Sequence, residues 1–412
     1  MSKIVKLFQG DLVIWIIYFM LCLVSLVEVF SASSTLAYRD GSFWAPLIKQ
    51  AIFLGVGTIL VVILHNIPCR YFKLIPVIFL PVCVGLLLLT MLAGTSANSA
   101  SRWLSIGFIQ FQPSELAKGA VIVSVALILA QTQREDGADK SAFKYILWVA
   151  GGVCLLIVTE NLSTAAMLFG VVFLMMWIGR VPLKLMAKLS AVLVAVVVLF
   201  ASVVLIAPKD SFVFELPGFH RALTWKNRLA GHGAEKNVTP QDYDIDKDAQ
   251  VAHARIAIAS SNYIGKMPGN SVQRDFLSQA YSDFIFAIII EELGIWGAFF
   301  VVAFYIVFLF RAGRIASRCE RNFPAFLAMG LALLIVAQAL LNMMVAVGLF
   351  PVTGQPLPLV SRGGTSTIIT CAYFGMILSV SRYARKSKEP AEVFPEKGLI
   401  RAKNKGLVPE ED

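Results

Sequence analysis

The composition of this chain excludes an ordinary soluble protein. Of its 412 residues, 58% are hydrophobic and only 15% are charged, whereas a soluble domain carries about 25% charged residues. The net charge of +10 comes largely from Lys and Arg in short connections between apolar runs, a pattern that suits an anionic membrane surface better than a nucleic acid. The chain is therefore predicted to be an integral membrane protein with no nucleic-acid partner.

Ten apolar segments meet or approach the length of a membrane-spanning helix. A hydrocarbon core about 30 Å thick needs about 20 mostly apolar residues in a helix. The segments are 12–32, 45–64, 74–93, 114–131, 143–159, 161–179, 186–206, 284–310, 325–349 and 363–382. We predict an all-α polytopic membrane protein with about ten transmembrane helices, in which only Glu160-Asn161 separates the fifth helix from the sixth.

Basic residues in the connections predict the orientation. Lys and Arg collect on one side of the membrane, which the positive-inside rule assigns to the cytoplasm. These residues are Lys3, Lys6, Arg70, Lys73, Arg134, Lys140, Arg180, Lys184, Arg311, Arg314, Arg318, Arg321, Arg382, Arg385, Lys386 and Lys388. The sequence therefore predicts a multi-pass plasma-membrane protein with both termini in the cytoplasm and one large extracytoplasmic loop, 208–282, between helices 7 and 8.

The domain organisation follows from the same pattern. Residues 1–386 are predicted to form one integral membrane domain that includes the outer loop. Residues 387–412 alternate charges with Pro and Gly, a composition that buries too little apolar surface to fold. We predict a short disordered cytoplasmic tail there.

Asp283 stands where the long polar stretch ends and the apolar run 284–290 begins. A carboxylate at a membrane surface, against an apolar helix and under a large loop, is costly to place unless it has a function. A carboxylate in such a position is a candidate general base. The alternative is a helix N-cap, since Ser282 and Asp283 are both good capping residues.

A second polar cluster contains Arg102 and the segment 112–118. Pro113 is suited to begin a helix, and an acidic residue in the first turn, Glu115, complements the helix dipole. Lys118 lies one turn deeper on the same face as Glu115. The two side chains can form an ion pair, or Lys118 can present a cation to a phosphate, with Arg102 as a second cation.

A third cluster contains Asn342 and the segment 348–366. Three prolines and four glycines fall within 17 residues there, and such a segment cannot continue a helix. Non-helical backbone at membrane depth is tolerated only where it is buried in protein or lines a wet cavity. We predict a re-entrant loop beside a binding site, the alternative being a plain extracellular turn. The residues alone fit either a polyprenyl pyrophosphate substrate or an ion-coupled transport pathway.

The three clusters together resemble the bacterial SEDS family of shape, elongation, division and sporulation proteins, which includes FtsW and RodA. The motifs follow the family's order over most of the chain. They are Arg102-Trp103, Gln112-Pro113-Ser114-Glu115-Leu116-Ala117-Lys118, Gly269-Asn270-Ser271, Ser282-Asp283-Phe284, Glu291-Glu292-Leu293-Gly294, Pro351-Val352-Thr353-Gly354 and Leu357-Pro358 through Ser361 to Gly363-Gly364. The segment 269–273 is more similar to the division member, FtsW, than to RodA. Asn161 departs from the family, which commonly has Asp at that position.

The resemblance implies a peptidoglycan glycosyltransferase that polymerises lipid II into glycan strands during septal wall synthesis. Asp283 is implied as the catalytic base, which takes the proton from the 4-hydroxyl of the acceptor sugar. That oxygen attacks the anomeric carbon of the growing strand, polyprenyl pyrophosphate leaves, and the configuration inverts. An elongation enzyme of the RodA type, a lipid II flippase, and a division scaffold without chemistry are the alternatives.

The substrate-binding residues follow from the same resemblance. Lys118 and Arg102, with Lys49 or a divalent cation (Mg or Mn), are expected to stabilise the charge that develops on the leaving pyrophosphate. Glu115 is expected to orient Lys118, and Ser361 to contact the substrate. No residues are assigned as metal ligands, and no nucleotide-binding glycine loop is present, which suits a lipid-linked donor. The implied partners are lipid II, the nascent glycan strand, a class B penicillin-binding transpeptidase and other division proteins.

Overall fold

The computed structural model describes residues 8–33, 42, 44–93, 95–97, 100–106, 109–206, 249–277 and 280–386. Most of the predicted outer loop, 208–282, and the whole predicted tail, 387–412, therefore lie outside the described residues. The division of the chain into a membrane domain and a tail stays a prediction.

Helices make up most of the described chain. In order they are α1 (Leu12–Ala32), α2 (Ala45–Asn66), α3 (Ile75–Ala93), α4 (Pro113–Thr132), α5 (Lys140–Ile146), α6 (Gly152–Glu160), α7 (Leu162–Ile178), α8 (Leu183–Ile206), α9 (Ala249–Ala259), α10 (Ile285–Ala316), α11 (Asn322–Ala346) and α12 (Thr365–Lys386). A π-helical turn, Leu147–Gly151, joins α5 to α6, and 3-10 helices lie at Cys69–Leu74 and Gln273–Asp275. All ten predicted apolar segments overlap these helices.

The helices confirm the all-α polytopic membrane class. In the part of the chain that the structure describes, eight helical segments are long and apolar enough to cross a membrane, and Leu162–Ile178 is a shorter apolar helix. The number of ten spans stays a prediction. The break predicted at Glu160-Asn161 is present, because α6 ends at Glu160 and the Asn161 side chain caps α7 by accepting the N–H groups of Ser163 and Thr164.

Short strands were not predicted from the sequence. Between α3 and α4 the chain forms β1 (Thr95–Ala97), β2 (Ala100–Ile106) and β3 (Ile109–Phe111), which pair antiparallel in the order β1-β2-β3. A second hairpin pairs β4 (Gln133–Arg134) with β5 (Gly137–Ala138). Strands this short show too few alternations to stand out beside apolar helices. The first sheet leads directly into α4.

The Lys- and Arg-rich connections meet at one end of the helix bundle, called the basic end below. An ion pair there joins Arg311 to Asp11, and Arg382 donates a hydrogen bond to Asn66. The Ala138 N–H donates to the Gly179 carbonyl at 3.2 Å, which joins the connection between α4 and α5 to the one between α7 and α8. The opposite end, called the polar end, carries the chain breaks around residues 161, 283 and 350–364.

Two glycines allow α2 and α12 to pack closely side by side. A Cβ atom at Gly57 would lie 2.5 Å from the Cys371 Sγ, and one at Gly375 would lie 2.9 Å from the Leu64 Cβ. Helices in membranes gain their association energy from such close contact, because lipid is as apolar as their side chains. The last helix is thus fixed against the second, and it brings the chain that precedes it to the polar end.

Candidate functional site

Asp283 lies in the turn that leads into α10, at the polar end. The N-cap of α10 is Phe284, without a side-chain hydrogen bond to the helix. Asp283 thus lies one residue before the N-cap position of this helix. Its carboxylate is half-buried and accepts a hydrogen bond from the Ser282 hydroxyl at 3.1 Å.

The backbone of this turn is held from two other parts of the chain. Its three consecutive carbonyl groups, at residues 281, 282 and 283, each accept a hydrogen bond. The donors, in the same order, are the Arg362 N–H at 2.9 Å, the Ser361 Oγ at 2.6 Å and the Asn342 Nδ2 at 2.9 Å. Helix α11 and the segment before α12 thus fix the position from which the Asp283 side chain extends.

The segment 351–364 is non-helical and partly or fully buried against neighbouring helices, and its assignment as a re-entrant loop rather than an extracellular turn stays a prediction. Five of its carbonyl groups accept hydrogen bonds from side chains elsewhere in the chain. The pairs are Thr353 with Asn161 (3.4 Å), Gln355 with Asn342 (2.8 Å), Pro356 with Gln338 (3.1 Å), Pro358 with Tyr305 (2.5 Å) and Val360 with Ser25 (2.9 Å). These bonds satisfy the requirement that backbone polar groups at membrane depth find partners within the protein. The donors come from α1, α10, α11 and the cap of α7.

Lys118 is completely buried and forms the ion pair predicted with Glu115, at 2.8 Å. The same ammonium group donates to the Gln338 Oε1 at 2.8 Å, and the Gln338 amide in turn donates to the Pro356 carbonyl. Because no part of Lys118 is exposed in this conformation, the side chain connects α4 to the re-entrant loop rather than facing open solvent.

The other predicted substrate-binding residues take up different positions. Lys49 is exposed near the start of α2. Arg102 lies in β2, and its side chain is outside the described part of the structure. The Ser361 hydroxyl accepts from the Leu357 N–H at 2.7 Å and donates to the Ser282 carbonyl, so its only proton is used within the protein. Its role in this conformation is to join the re-entrant loop to the Asp283 turn.

Sequence reasoning missed Gln338, although it lies at the centre of this network. Gln338 and Asn342 are four residues apart on α11, so both project from one face. Together they contact Lys118, two carbonyls of the re-entrant loop and the carbonyl of Asp283. The signal was available as two amides at helical spacing in an apolar segment.

Glu291 and Glu292 on α10 anchor the chain that returns from the outer loop. Both carboxylate oxygens of Glu291 accept hydrogen bonds. Their donors include Lys266 Nζ at 2.7 Å and Ser271 Oγ at 2.5 Å. Glu292 accepts from Ser31 and from the Ser271 N–H. The segment 266–273 is thereby fixed beside α10 shortly before the chain reaches Asp283.

A kink in α10 completes this anchor. Gly294 has φ +69°, a left-handed conformation that other residues rarely adopt. The kink frees the carbonyls of Glu291 and Glu292, which accept the N–H groups of Lys266 and Met267 at 2.9 and 2.8 Å. A Cβ at Gly294 would lie 2.4 Å from the Tyr263 carbonyl oxygen, so glycine is required for the segment to approach.

The described side chains do not form a resident metal site. Among them, no group of three or more His, Cys, Asp or Glu residues is placed to hold an ion. Asp283 supplies a single carboxylate, and Glu115 is paired with Lys118. Mg²⁺ is commonly held by one or two carboxylates together with substrate phosphates, so these residues alone are too few.

The fold and the site define a polytopic membrane protein in which one network of hydrogen bonds joins a buried lysine, a buried non-helical loop and the turn that carries a half-buried carboxylate. Residues 11–386 match the model of the FtsW/RodA/SpoVE family, described as cell cycle proteins. The chain belongs to this family, as its motifs predicted.

Individual relatives cover almost the whole chain. The probable peptidoglycan glycosyltransferase FtsW of Nitrosococcus halophilus is 30% identical over 89% of this chain and 91% of its own length. The protein of the same name from Halomonas elongata is 31% identical over 90% of this chain and 91% of its own. A solved chain from a peptidoglycan synthase complex superposes with a TM-score of 0.70 at 24% identity, covering 91% of this chain and 98% of its own. This last likeness concerns the fold.

Proposed function

We propose that this chain is a peptidoglycan glycosyltransferase that polymerises lipid II during septal cell-wall synthesis. The name of its FtsW relatives supports the activity and favours division over elongation. The observation that carries the proposal is the Asp283 turn, whose three carbonyls are fixed by α11 and the re-entrant loop. A side chain held by its own backbone in this way is preorganised for catalysis.

Asp283 acts as general base in the proposed reaction. Its carboxylate takes the proton from the 4-hydroxyl of the acceptor sugar while that oxygen bonds to the anomeric carbon of the strand. The bond from the anomeric carbon to the pyrophosphate oxygen breaks, and the electron pair leaves with polyprenyl pyrophosphate. Attack from the face opposite the leaving group inverts the configuration.

The cations of the polar end have two different roles in this proposal. Lys49 and Arg102 contact the pyrophosphate, whose negative charge increases as the bond breaks. Lys118 positions the re-entrant loop through Gln338, with Glu115 orienting its ammonium group. A Mg²⁺ or Mn²⁺ ion would enter with the pyrophosphate oxygens, and chelation by EDTA tests whether activity requires one.

Replacement of Asp283 by Asn tests the proposal most directly. The change keeps size and hydrogen-bonding capacity but removes the base, so we expect no glycan strands from purified variant and labelled lipid II. Asp275→Asn is the matched control, because it makes the same change on an exposed side chain of the outer segment and should leave product length unaltered. Long strands from Asp283→Asn would refute the base assignment. A chain that only transports lipid II would give no strands even as wild type.

The proposed setting is the septal region of the bacterial plasma membrane, with the termini in the cytoplasm and other division proteins as neighbours. The predicted outer loop contains no Ser-x-x-Lys nucleophile motif, so cross-linking requires a separate class B penicillin-binding transpeptidase. We expect that partner to raise the rate of lipid II consumption by binding the predicted outer loop, which leads into Asp283. A rate that stays flat when the purified partner is titrated in would contradict this activation.

A further inference from the structure

A cavity of about 720 Å³ lies at the basic end, far along the bundle from Asp283. Its walls come from the 3-10 helix Cys69–Leu74, the last turns of α4, the first turn of α11 and the end of α12. The volume is in the range of pockets that bind small organic ligands. None of the residues in the proposed glycosyl-transfer site lines it.

Three cations, Arg70, Lys73 and Arg321, line this cavity. Within the described chain none of them forms an ion pair. Lys73 lies 5.6 Å from the ring centre of Phe323, another lining residue, and Arg321 is exposed. Glu320 is the one acidic residue of the lining, so three positive charges face one negative charge. Such an excess attracts an anion.

The start of α11 adds to this positive potential. Its N-cap is Arg321, whose side chain makes no cap hydrogen bond, and the first two residues of the helix, Asn322 and Phe323, line the cavity. The first N–H groups of a helix have no partner within the helix and carry the positive end of its dipole. Phosphate oxygens are suitable acceptors for such groups.

Apart from Gln131 and Tyr383, the rest of the lining is apolar. Leu127 and Ala130 contribute from α4, and Val380 contributes from α12. A ligand that fills the cavity therefore needs a negatively charged part beside the cations and a hydrocarbon part beside the helices. A free phosphate ion would satisfy only the first of these requirements.

We propose that this cavity binds an anionic phospholipid, with the phosphate group between Arg70, Lys73 and Arg321 and the upper acyl chains against α4 and α12. Basic pockets between transmembrane helices at a cytoplasmic surface suit such headgroups. The site is independent of the proposed glycosyltransferase activity, because it lies at the opposite end of the bundle.

Native mass spectrometry of the full chain in detergent tests the proposal. We expect phosphatidylglycerol to remain bound at concentrations where phosphatidylcholine does not. Each Lys or Arg near an anionic lipid contributes about fivefold in affinity, so the double variant Lys73→Gln/Arg321→Gln should bind phosphatidylglycerol roughly thirtyfold more weakly. Arg314→Gln/Arg318→Gln is the matched control, because both arginines are exposed at the same end but do not line the cavity.

Three outcomes would overturn the proposal. Equal retention of the two lipids would show that charge does not select the ligand. An equal loss of binding in the control variant would show that the general charge of the basic end, and not the cavity, attracts the lipid. Displacement of the lipid by an equal concentration of inorganic phosphate would assign the cavity to a free anion. Thermal unfolding of each variant verifies that weaker binding does not reflect misfolding.

Discussion

Lys118 shows how a residue predicted to touch substrate can act through its neighbours. Its ammonium group is fully buried between Glu115 and Gln338, and Gln338 contacts the re-entrant loop. Removal of one partner from a buried ion pair costs roughly 3–5 kcal/mol, because the remaining charge has no partner. Loss of activity on changing Lys118 therefore has to be separated from loss of the fold.

The variant Gln338→Leu separates loss of activity from loss of the fold. It keeps the Lys118–Glu115 ion pair but removes the hydrogen bond to the Pro356 carbonyl. If Lys118 positions the loop, Gln338→Leu should lower kcat about tenfold with little change in KM for lipid II, and Lys118→Ala should lower it about a hundredfold. Arg362→Ala should lower kcat less than Lys118→Ala, since Arg362 is only partly buried and its backbone hydrogen bond to the Tyr281 carbonyl survives the change. A wild-type kcat for Gln338→Leu together with an inactive Lys118→Ala would favour a direct role of the charge.

Glu28 is a second buried side chain that sequence reasoning passed over. It lies on α1 at the polar end, completely buried, and among the described residues neither carboxylate oxygen has a hydrogen-bond partner. The carboxyl of Glu292 is close enough to interact with it electrostatically. A buried polar group without a partner costs about 1–3 kcal/mol.

Glu28→Met is therefore expected to stabilise the protein by about 1–3 kcal/mol, measured as a higher midpoint of thermal unfolding in detergent. Glu292→Gln is the contrasting variant. It should lower the midpoint, because Glu292 accepts hydrogen bonds from Ser31 and Ser271. A lower midpoint for Glu28→Met would mean that Glu28 has a stabilising partner, such as an ion or a water molecule.

At the level of elements, the kink of α10 joins the outer segment to the Asp283 turn. The freed carbonyls and both glutamates of this helix hold the segment 266–273. The chain then continues to Asp283 without leaving the polar end. The kink thus serves as a docking point whose geometry depends on one glycine.

Gly294→Ala should undo this docking. With φ +69° and ψ −169°, Gly294 adopts a backbone conformation that costs another residue roughly 1–3 kcal/mol, and the added Cβ would lie 2.4 Å from a carbonyl oxygen. We expect faster proteolysis within 261–277 and at least tenfold slower glycan synthesis. Gly170→Ala on α7 is the control, since a Cβ there meets no atom within 4 Å. Equal protease resistance of both variants would show that the segment is held by other contacts.

For the whole molecule, the division into a basic and a polar end leads to a test of orientation. Asn262 is exposed at the polar end and Arg318 is exposed at the basic end. Single cysteines at these positions, in a chain whose six native cysteines are replaced by alanine, should react differently with an impermeant reagent in intact cells. Labelling is expected at 262 only. Equal labelling at both positions would contradict the predicted alternation of spans.

The sequence predicted the larger part of the architecture. Runs of apolar residues are a strong signal for membrane helices. Asn161, which caps α7, marks the break between α6 and α7. The motifs around Glu115, Asp283 and Ser361 also predicted the elements that meet at the polar end. Composition and motif order carry this information without knowledge of contacts.

Contacts between distant helices were not predictable in the same way. The spacing of Gln338 and Asn342 marks a polar face on α11, but it does not identify Lys118, which is 220 positions away, as the partner of Gln338. The hydrogen bond that the Ser361 hydroxyl donates likewise depends on how the re-entrant loop folds back onto residue 282. The cavity at the basic end is assembled from four separate parts of the chain, so no local pattern marks it.

The hydrogen bonds around Asp283 also bear on when, during synthesis of the chain, the Asp283 turn takes up its final position. Asp283 itself is translated before α11 and α12, but the donors that hold its turn, Asn342, Ser361 and Arg362, are translated after it. A nascent chain that has inserted only its earlier helices therefore carries the carboxylate without the groups that aim it. Completion of the last two helices supplies these donors, so we expect truncated or half-inserted chains to be inactive toward lipid II.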